Sequence, residues 1–212
     1  MKIDKISQIG WVAAASLAGV WLASGFQDTS TKLAVVDIAQ VVEKSTHGKT
    51  NQDIFAKMKK NREDLLQFID DNRVLTQEQA IQLRTLWSKD NPTTDEKNQM
   101  ERIKADVIAS NKKWTELSGK PTLTAEDRTL LDEYAKRGQN MELIARKWYG
   151  DFTNEMQGWA DKQKVASIEK ARTAIQTVAK AQGYTIVFEV GIAPYGANDL
   201  TQPALQAMNA AP

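Results

Sequence analysis

The sequence predicts an α+β protein, predominantly helical, in which a small β body carries a long helical arm. Two segments rich in β-branched residues, Lys32–Val42 (KLAVVDIAQVV) and Tyr184–Val190 (YTIVFEV), stand about 140 residues apart and predict strands. Between them the apolar residues follow helical spacing. A long helical segment between two strands indicates a coiled-coil-like helical hairpin whose two ends meet in one body.

The N-terminal segment has the pattern of an export signal. Lys2 and Lys5 precede an apolar stretch, Ile9–Leu22, and Ala23-Ser24-Gly25 supplies a small-x-small cleavage site. We therefore expect residues 1–25 to be a signal peptide and the rest of the chain to be exported to the periplasm.

An uncleaved anchor in the inner membrane is the alternative for the same segment. The apolar residues from Ile9 to Phe26 approach the lower limit of about 17 residues for a spanning helix. In that case this segment is the only part of the chain predicted to contact a membrane.

The helices of the first half are predicted from apolar spacing and capping residues. A helix runs from about Asn51 to Asp71 and ends near Asn72. Thr76 with Gln79 forms a capping box for a short helix that ends before Pro92.

Two further helix starts follow. A third helix begins at Thr93 or Thr94 and ends at Gly119 and Pro121, and a fourth begins after Thr124. Helical spacing then continues to Gly183. Three interior glycines weaken this stretch and predict kinks near its middle, since each costs about 1 kcal/mol relative to alanine. They are Gly138, Gly150 and Gly158.

The domain organisation follows from these elements. Residues 26–50 and 183–212 are expected to form a β-containing oligomerisation body, and residues 51–182 the arm, which reverses near 119–122. One architecture is a helical hairpin with nearly equal legs. The competing architecture is a compact helical bundle of residues 76–150 on a shorter stalk.

Both ends of the chain carry a family resemblance. KLAVVDIAQVVEKS (Lys32–Ser45), followed by Gly48-Lys49 and a charged helix, and the C-terminal segment Gly183–Asn209 resemble the Skp/OmpH family of periplasmic chaperones. The C-terminal segment matches best, because a strand, a Tyr195-Gly196 turn and Asp199-Leu200-Thr201 before a last helix stand in the family's order. The middle of the chain matches only in being helical.

The resemblance implies a homotrimer whose strands assemble into one body, with arms that enclose unfolded outer-membrane proteins without ATP. A holdase needs many weak apolar contacts, for which adaptable Met and aromatic side chains are suited. The candidate client-contacting residues of the arm are Met58, Met100, Trp114, Met141, Trp148, Met156 and Trp159. The candidate oligomerisation residues of the strands are Val35, Val36, Ile38, Ile186, Val187 and Phe188. For the tryptophans, packing between helices is the favoured interpretation over a client surface.

The charge balance separates this chain from the basic members of that family. Lys and Arg total 28 against 27 for Asp and Glu, so no net field attracts nucleic acid or anionic lipid. Near the predicted arm tip, lysines and glutamates are mixed, and no lipopolysaccharide site is carried over. The chain has no cysteine, which excludes disulfides and thiol catalysis.

The sequence contains no convincing catalytic, metal or cofactor site. Gly48-Lys49-Thr50 resembles the end of a phosphate-binding loop, but Glu43 stands where that loop needs a glycine, and we interpret the stretch as a strand-to-helix connection. His47 is the only histidine and is expected to be a solvated loop residue. Acidic pairs such as Asp70-Asp71 and Asp132-Glu133 are expected on solvated faces. No enzyme activity and no cofactor are predicted.

The predicted function is therefore an ATP-independent periplasmic holdase that binds unfolded outer-membrane or other exported proteins. The alternative is a membrane-anchored coiled-coil scaffold of the cell envelope with one fixed partner.

Overall fold

The computed structural model describes residues 31–211 and has an α+β fold dominated by helices. The elements, in chain order, are β1 (Leu33–Val36), α1 (Ile38–Lys44), α2 (Thr46–Asp71), α3 (Gln77–Trp87), α4 (Thr94–Ser118), α5 (Ala125–Ala181), β2 (Ile186–Glu189) and α6 (Thr201–Ala210). The predicted signal peptide, residues 1–25, lies outside the described residues. Within residues 31–211, no helix is long and apolar enough to cross a membrane.

The two strands pair with each other in parallel, with Leu33 opposite Ile186 and Val36 opposite Glu189. The other edge of β1 is also occupied, because the Val35 N–H donates to Asn198 O at 2.8 Å and the Leu200 N–H donates to Val35 O at 2.9 Å. Within residues 31–211, no segment pairs with the outer edge of β2. The sheet therefore has one open edge.

Helices α1, α5 and α6 cover the sheet and form the body. Ala34 and Val36 of β1 are buried against the C-terminal part of α5 and against α6. The residues of this core are Ala34, Val36, Val41, Ala171, Ala174, Ile175, Val178, Ala179, Leu200, Ala204 and Met208. Most of the α5 members are alanines, which lets the helix lie close to its neighbours.

The chain passes from strand into helix at Asp37, which corrects the predicted strand Lys32–Val42. Only Leu33–Val36 is extended, because Asp37 caps α1 by accepting a hydrogen bond from the Gln40 N–H at 2.8 Å. Ser45, fully buried, then caps α2 by accepting from the Gly48 N–H at 2.9 Å and donates to Val42 O at 2.7 Å. Glycine is required at position 48, since a Cβ there would lie 2.0 Å from Val42 O. Gly48-Lys49-Thr50 is thus the first turn of α2 and not a connecting loop.

Helix α5 is a single unbroken helix, and the interior glycines do not divide it. It continues through Gly138, Gly150 and Gly158, with 57 residues in all. At about 1.5 Å per residue it is about 85 Å long, roughly twice the diameter expected for a compact domain of this chain length. Its C-terminal part belongs to the body, and its N-terminal part forms the arm.

The arm is a bundle in which the first half of the chain folds back and forth along α5. Helix α2 lies antiparallel to α5, since Asn51 contacts Ser167 and Arg62 contacts Glu155. Helix α3 doubles back toward the body, so that Arg84 reaches Asp151. Helix α4 then leads outward again to the turn at residues 119–124. The competing sequence interpretation, a bundle on a shorter stalk, describes this path better than two straight legs do.

The helix starts predicted from capping residues are confirmed. Thr76, Thr93 and Thr124 each cap a helix with a reciprocal capping box. Helices α2 and α4 end where predicted, with Asn72 and Gly119 as their C-cap residues. The prediction was wrong at the start of α2, which begins at Thr46 and not near Asn51.

Two glycine-to-alanine substitutions within helices should have opposite effects on stability. Gly48→Ala places a methyl group against the Val42 carbonyl, and overpacking of this kind costs about 1–3 kcal/mol. Gly150→Ala meets no atom within 4 Å and should stabilise the protein by about 0.5–1 kcal/mol through helix propensity. Urea unfolding of both variants measures this, and a destabilised Gly150→Ala protein would contradict an unbroken α5.

Candidate functional site

The seven predicted client-contacting residues divide into two groups by burial. Met58, Met100, Trp114, Met156 and Trp159 are half-buried. Met141 and Trp148 are only 1% and 5% exposed, and both belong to the arm core. In this conformation those two side chains offer no surface to a client, because other helices of the arm cover them, and an apolar stripe on one helix does not reveal which helix will do so.

Most tryptophans of the arm pack against other aromatic rings. The ring centroids of Trp87 and Phe68 lie 5.9 Å apart, and those of Trp159 and Phe55 lie 6.0 Å apart. Trp148 packs beside Phe152 at 6.3 Å. The packing interpretation favoured by the sequence is confirmed for Trp87 and Trp159, whose tilted ring pairs join two helices, and for Trp148, which is buried in the arm core beside a ring of its own helix.

An apolar groove lies on the arm between α2 and α5. It has a volume of about 270 Å³, and Phe55, Leu66, Phe152 and Met156 line it together with Tyr149, which is 68% exposed. The groove is open to solvent. The positive charges at its rim are balanced, because Arg62 pairs with Glu155 and Lys59 pairs with Glu63. It suits an uncharged apolar or aromatic side chain of a bound polypeptide.

Two arginines bind the helices of the arm together around the Phe152 ring. Arg62 of α2 and Arg84 of α3 lie over this ring at 5.4 Å and 5.0 Å, and both donate to Glu155, at 3.2 Å and 2.9 Å. Arg84 also donates to Asp151 at 3.1 Å. Stacked guanidinium groups with carboxylate partners are adapted to such partly buried contacts. We call Arg84, Asp151 and Glu155 the Arg84 clamp.

The predicted oligomerisation residues lie in the body, but not all are exposed. Val35 and Val36 are buried, and Ile38 lies in α1 and not in a strand, which corrects its assignment. Val187 and Phe188 are half-buried, and Ile186 on the open strand is 44% exposed. Ile192 and Tyr195, in the segment after β2, are 76% and 89% exposed.

The open strand borders a cleft of about 570 Å³. Its apolar lining includes Ile175, Val187, Phe188 and Ile192, and Arg172 and Lys180 stand among the polar residues around it. Edge strands in soluble proteins are normally protected by charge, proline or a covering element. Because β2 reads IVFE and has such protection only at its last residue, this face of the body is suited to pairing with another chain.

A second cleft of the body contains the only histidine. It has a volume of about 590 Å³ and lies between α2, α5 and α6. His47 is half-buried in the first turn of α2, not in a solvated loop as predicted. Burial, with a smaller contribution from the Lys170 charge, lowers the pKa of His47 and so favours the neutral imidazole.

The acidic and histidine side chains of residues 31–211 form no metal site. No group of three or more His, Asp or Glu side chains there could hold a metal ion. Asp70, Asp71, Asp132 and Glu133 are all exposed, as the sequence predicted for such pairs.

Comparisons with known proteins identify no relative of this chain. No family model matches it, and neither the curated proteins nor the solved structures contain a significant match.

Sequence reasoning missed three features of these surfaces. The Arg84 clamp joins residues more than 60 positions apart, and only the helical spacing of Asp151 and Glu155 on one face of α5 hinted at a shared partner. Tyr149 was overlooked because it falls beside the apolar stripe and not on it. The open edge of β2 cannot be inferred before the pairing partner of each strand is known.

The Arg84 clamp should contribute to the acid sensitivity of the fold. Hydrogen bonds from Lys147 and Arg84 lower the pKa of Asp151 below its usual value. A carboxyl whose pKa is lower in the folded state stabilises the protein above its unfolded pKa of about 4, and this contribution disappears as the pH falls through the folded value. Asp151→Asn should therefore be less stable than the parent at pH 7, with a difference that shrinks below pH of about 4.

Urea unfolding of the two proteins between pH 7 and pH 2 measures this difference. Asp132→Asn, at an exposed carboxyl of the same helix, is the matched control. A difference between Asp151→Asn and the parent that is constant over the whole pH range would contradict the assignment.

Proposed function

We propose that this protein is a non-enzymatic, ATP-independent holdase chaperone of the periplasm that binds unfolded outer-membrane or other exported polypeptides. The observation that carries the proposal is α5, one helix about 85 Å long that is rooted in the core of a small body and extends into an arm. A projecting arm offers more accessible surface than a compact domain of the same mass. This is useful to a protein that must cover an extended client rather than bind a small ligand.

The chemistry of the arm supports the proposal in a second way. Its groove is lined by Phe55, Tyr149 and Met156, side chains that adapt to many apolar partners. The charges of Lys59 and Arg62 at the rim of this groove are paired, so that neither anionic nor cationic clients are favoured there. The resemblance of both chain ends to the Skp/OmpH chaperones points to the same function.

The open strand of the body supports a homo-oligomer, and we propose a homotrimer as the resemblance implies. A two-stranded sheet is marginal alone. Pairing of β2 with another copy would extend the sheet and bury Ile186 and Ile192. Several arms would then project from one body and surround a common space.

The envelope scaffold with a fixed partner remains the second candidate, favoured by one observation. Met141 and Trp148, the central apolar residues of the arm, are buried in a closed bundle, as expected of a structural element. The two functions differ in the number of partners and in the need for an anchor within residues 1–25.

Light scattering tests the chaperone function. A urea-denatured outer-membrane β-barrel protein is diluted into buffer with the purified chain from Phe26 onward, without ATP. We expect suppression of scattering near one oligomer per client, because clients with exposed apolar strands aggregate unless covered. Unchanged scattering at every ratio would favour the scaffold.

An armless variant locates the activity. Arg62 contacts Glu155, so the two helices are adjacent there and a short Gly-Ser turn can replace residues 61–155. The remaining body should keep its oligomeric state by light scattering coupled to size-exclusion chromatography, and should lose client protection. Full protection by the armless body would exclude the arm as the binding element.

A charge placed on the open strand should dissociate the oligomer. Ile186→Lys puts an ammonium group on the edge of β2, where it opposes pairing with another strand. The same size-exclusion measurement should give the mass of one chain. Val165→Lys, at a 64% exposed position on α5, is the matched control and should leave the mass unchanged. An Ile186→Lys protein that keeps the parent mass would show that copies do not meet at β2.

A further inference from the structure

The arm core is built from two layers that are connected in an unusual way. Helices α2 and α5 supply one layer, which we call the floor, and its buried residues are Leu65, Ile69, Met141, Trp148 and Phe152. Helices α3 and α4 form a hairpin that covers the floor with Ala80, Leu83, Leu86, Ile103 and Val107. The hairpin contributes no residue to the core of the body.

Both covalent connections of this hairpin lie at the far end of the arm. Residues 72–76 lead into it beside α5, where Arg137 donates to Val74 O at 3.2 Å, and residues 119–124 lead out of it into α5. The turn between α3 and α4, residues 88–93, lies at the opposite end, nearer the body, where Lys57 donates to Asp90 O at 3.0 Å. The hairpin is therefore attached like a flap, with its connections at one end and its turn at the other.

At the free end the apolar packing of Leu83, Leu86 and Trp87 on the floor is accompanied by polar contacts that are accessible to solvent. The Arg84 clamp joins α3 to α5 through side chains that are 27%, 30% and 45% exposed, for Arg84, Asp151 and Glu155 respectively. Ion pairs with this degree of exposure are weak. Beneath the clamp, Arg62 Nε is buried and has no acceptor among the described residues, so the closed packing leaves one donor unsatisfied.

The floor does not depend on the hairpin for its own pairing. Helices α2 and α5 contact each other directly at Asn51–Ser167, at Phe55–Trp159 and at Arg62–Glu155. The first two contacts lie between the body and the free end of the hairpin, and Arg62–Glu155 lies beneath the Arg84 clamp. Displacement of the hairpin leaves them in place.

We propose that the α3–α4 hairpin is a hinged flap that swings about its far end and uncovers the floor for an apolar segment of an unfolded polypeptide. The proposal rests on the chaperone function proposed above and assigns its principal binding surface. With the flap closed, the large exposed apolar side chains of the arm are distributed over four helices: Ile54, Ile81, Ile108, Leu143, Tyr149 and Val165. The floor is contiguous, and it contains Met141 and Trp148. A client of this class binds the open form preferentially and shifts the population toward it.

Thiol labelling tests the flap without reference to chaperone activity. The chain has no cysteine, so Met141→Cys introduces a single thiol on the floor, and Ala171→Cys, equally buried in the body, is the control. We expect Met141→Cys to react at least about tenfold faster than Ala171→Cys, because local opening precedes global unfolding. Arg84→Met should accelerate only the floor thiol. Leu65→Cys is the second floor reporter if Met141→Cys does not fold.

Equal labelling rates for the floor and the body, unaffected by Arg84→Met, would overturn the flap, since both thiols would then be exposed only by global unfolding. This result would leave the chaperone function standing.

Cross-linking connects the flap to client protection. Lys57→Cys and Asp90→Cys, joined by a short bis-maleimide, close the free end. We expect half suppression of client scattering to require at least about fivefold higher concentration of the joined protein than of the unjoined protein, because the floor stays covered.

Arg73→Cys with Gly138→Cys is the control at the hinge end. A Cβ on Gly138 would lie 3.8 Å from that of Arg73, which suits a disulfide, and this disulfide should leave protection unchanged.

The outcomes of the scattering assay separate the two proposals. Protection by the parent chain that persists after the free end is closed overturns the flap alone. A parent chain that never protects a client overturns the chaperone function, whatever the labelling rates are.

Discussion

The parallel pairing of β1 with β2 constrains the whole structure. Parallel strands cannot be joined by a tight turn, so the chain that leaves β1 must cross to the other end of the sheet before β2 begins. Here that crossover is the entire arm, so the chain must leave the body after β1 and return to the body before β2. Helix α5 alone brings the chain back to the body. The preceding helices α2, α3 and α4 lead away from the body and fold back and forth beside α5.

Helix α5 consequently belongs to two separate cores. Its alanine-rich segment around Ala171 and Ala174 packs closely on the sheet and α6, whereas Met141, Trp148 and Phe152 fill the bundle of the arm. Between the two cores the helix is supported mainly by α2, through contacts such as Phe55–Trp159. A continuous helix transmits its direction along its whole length, so the body fixes where the arm points even though the two cores share no buried residue.

The sequence predicted local features well and long-range ones poorly, for physical reasons. The capping box at Thr76 and the helix starts at Thr93 and Thr124 depend on neighbouring residues only, and all three are present. The end of β1 was missed although Asp37 stands before Ile38 and Val41, an N-cap followed by helical spacing that outweighs the β-branched composition. Burial of Met141 and Trp148 and the Arg84 clamp depend on which helices fold back on α5, and no local pattern encodes that choice. Gly150 and Gly158 lower helix propensity, but tertiary support from α2 and the length of α5 outweigh a cost of about 1 kcal/mol each.

The open edge of β2 and the weak surfaces of the arm are best understood together. A groove of about 270 Å³ accommodates little more than one side chain, and a single contact of that size binds an extended client only transiently. If the sheet is extended by further copies, several grooves and several floors face the same client, and each contact that forms raises the effective concentration for the next. An unprotected strand such as IVFE would promote aggregation of a monomer. In an oligomer formed through this strand, the combined weak and non-specific contacts of several arms would retain a client firmly without any single tight site.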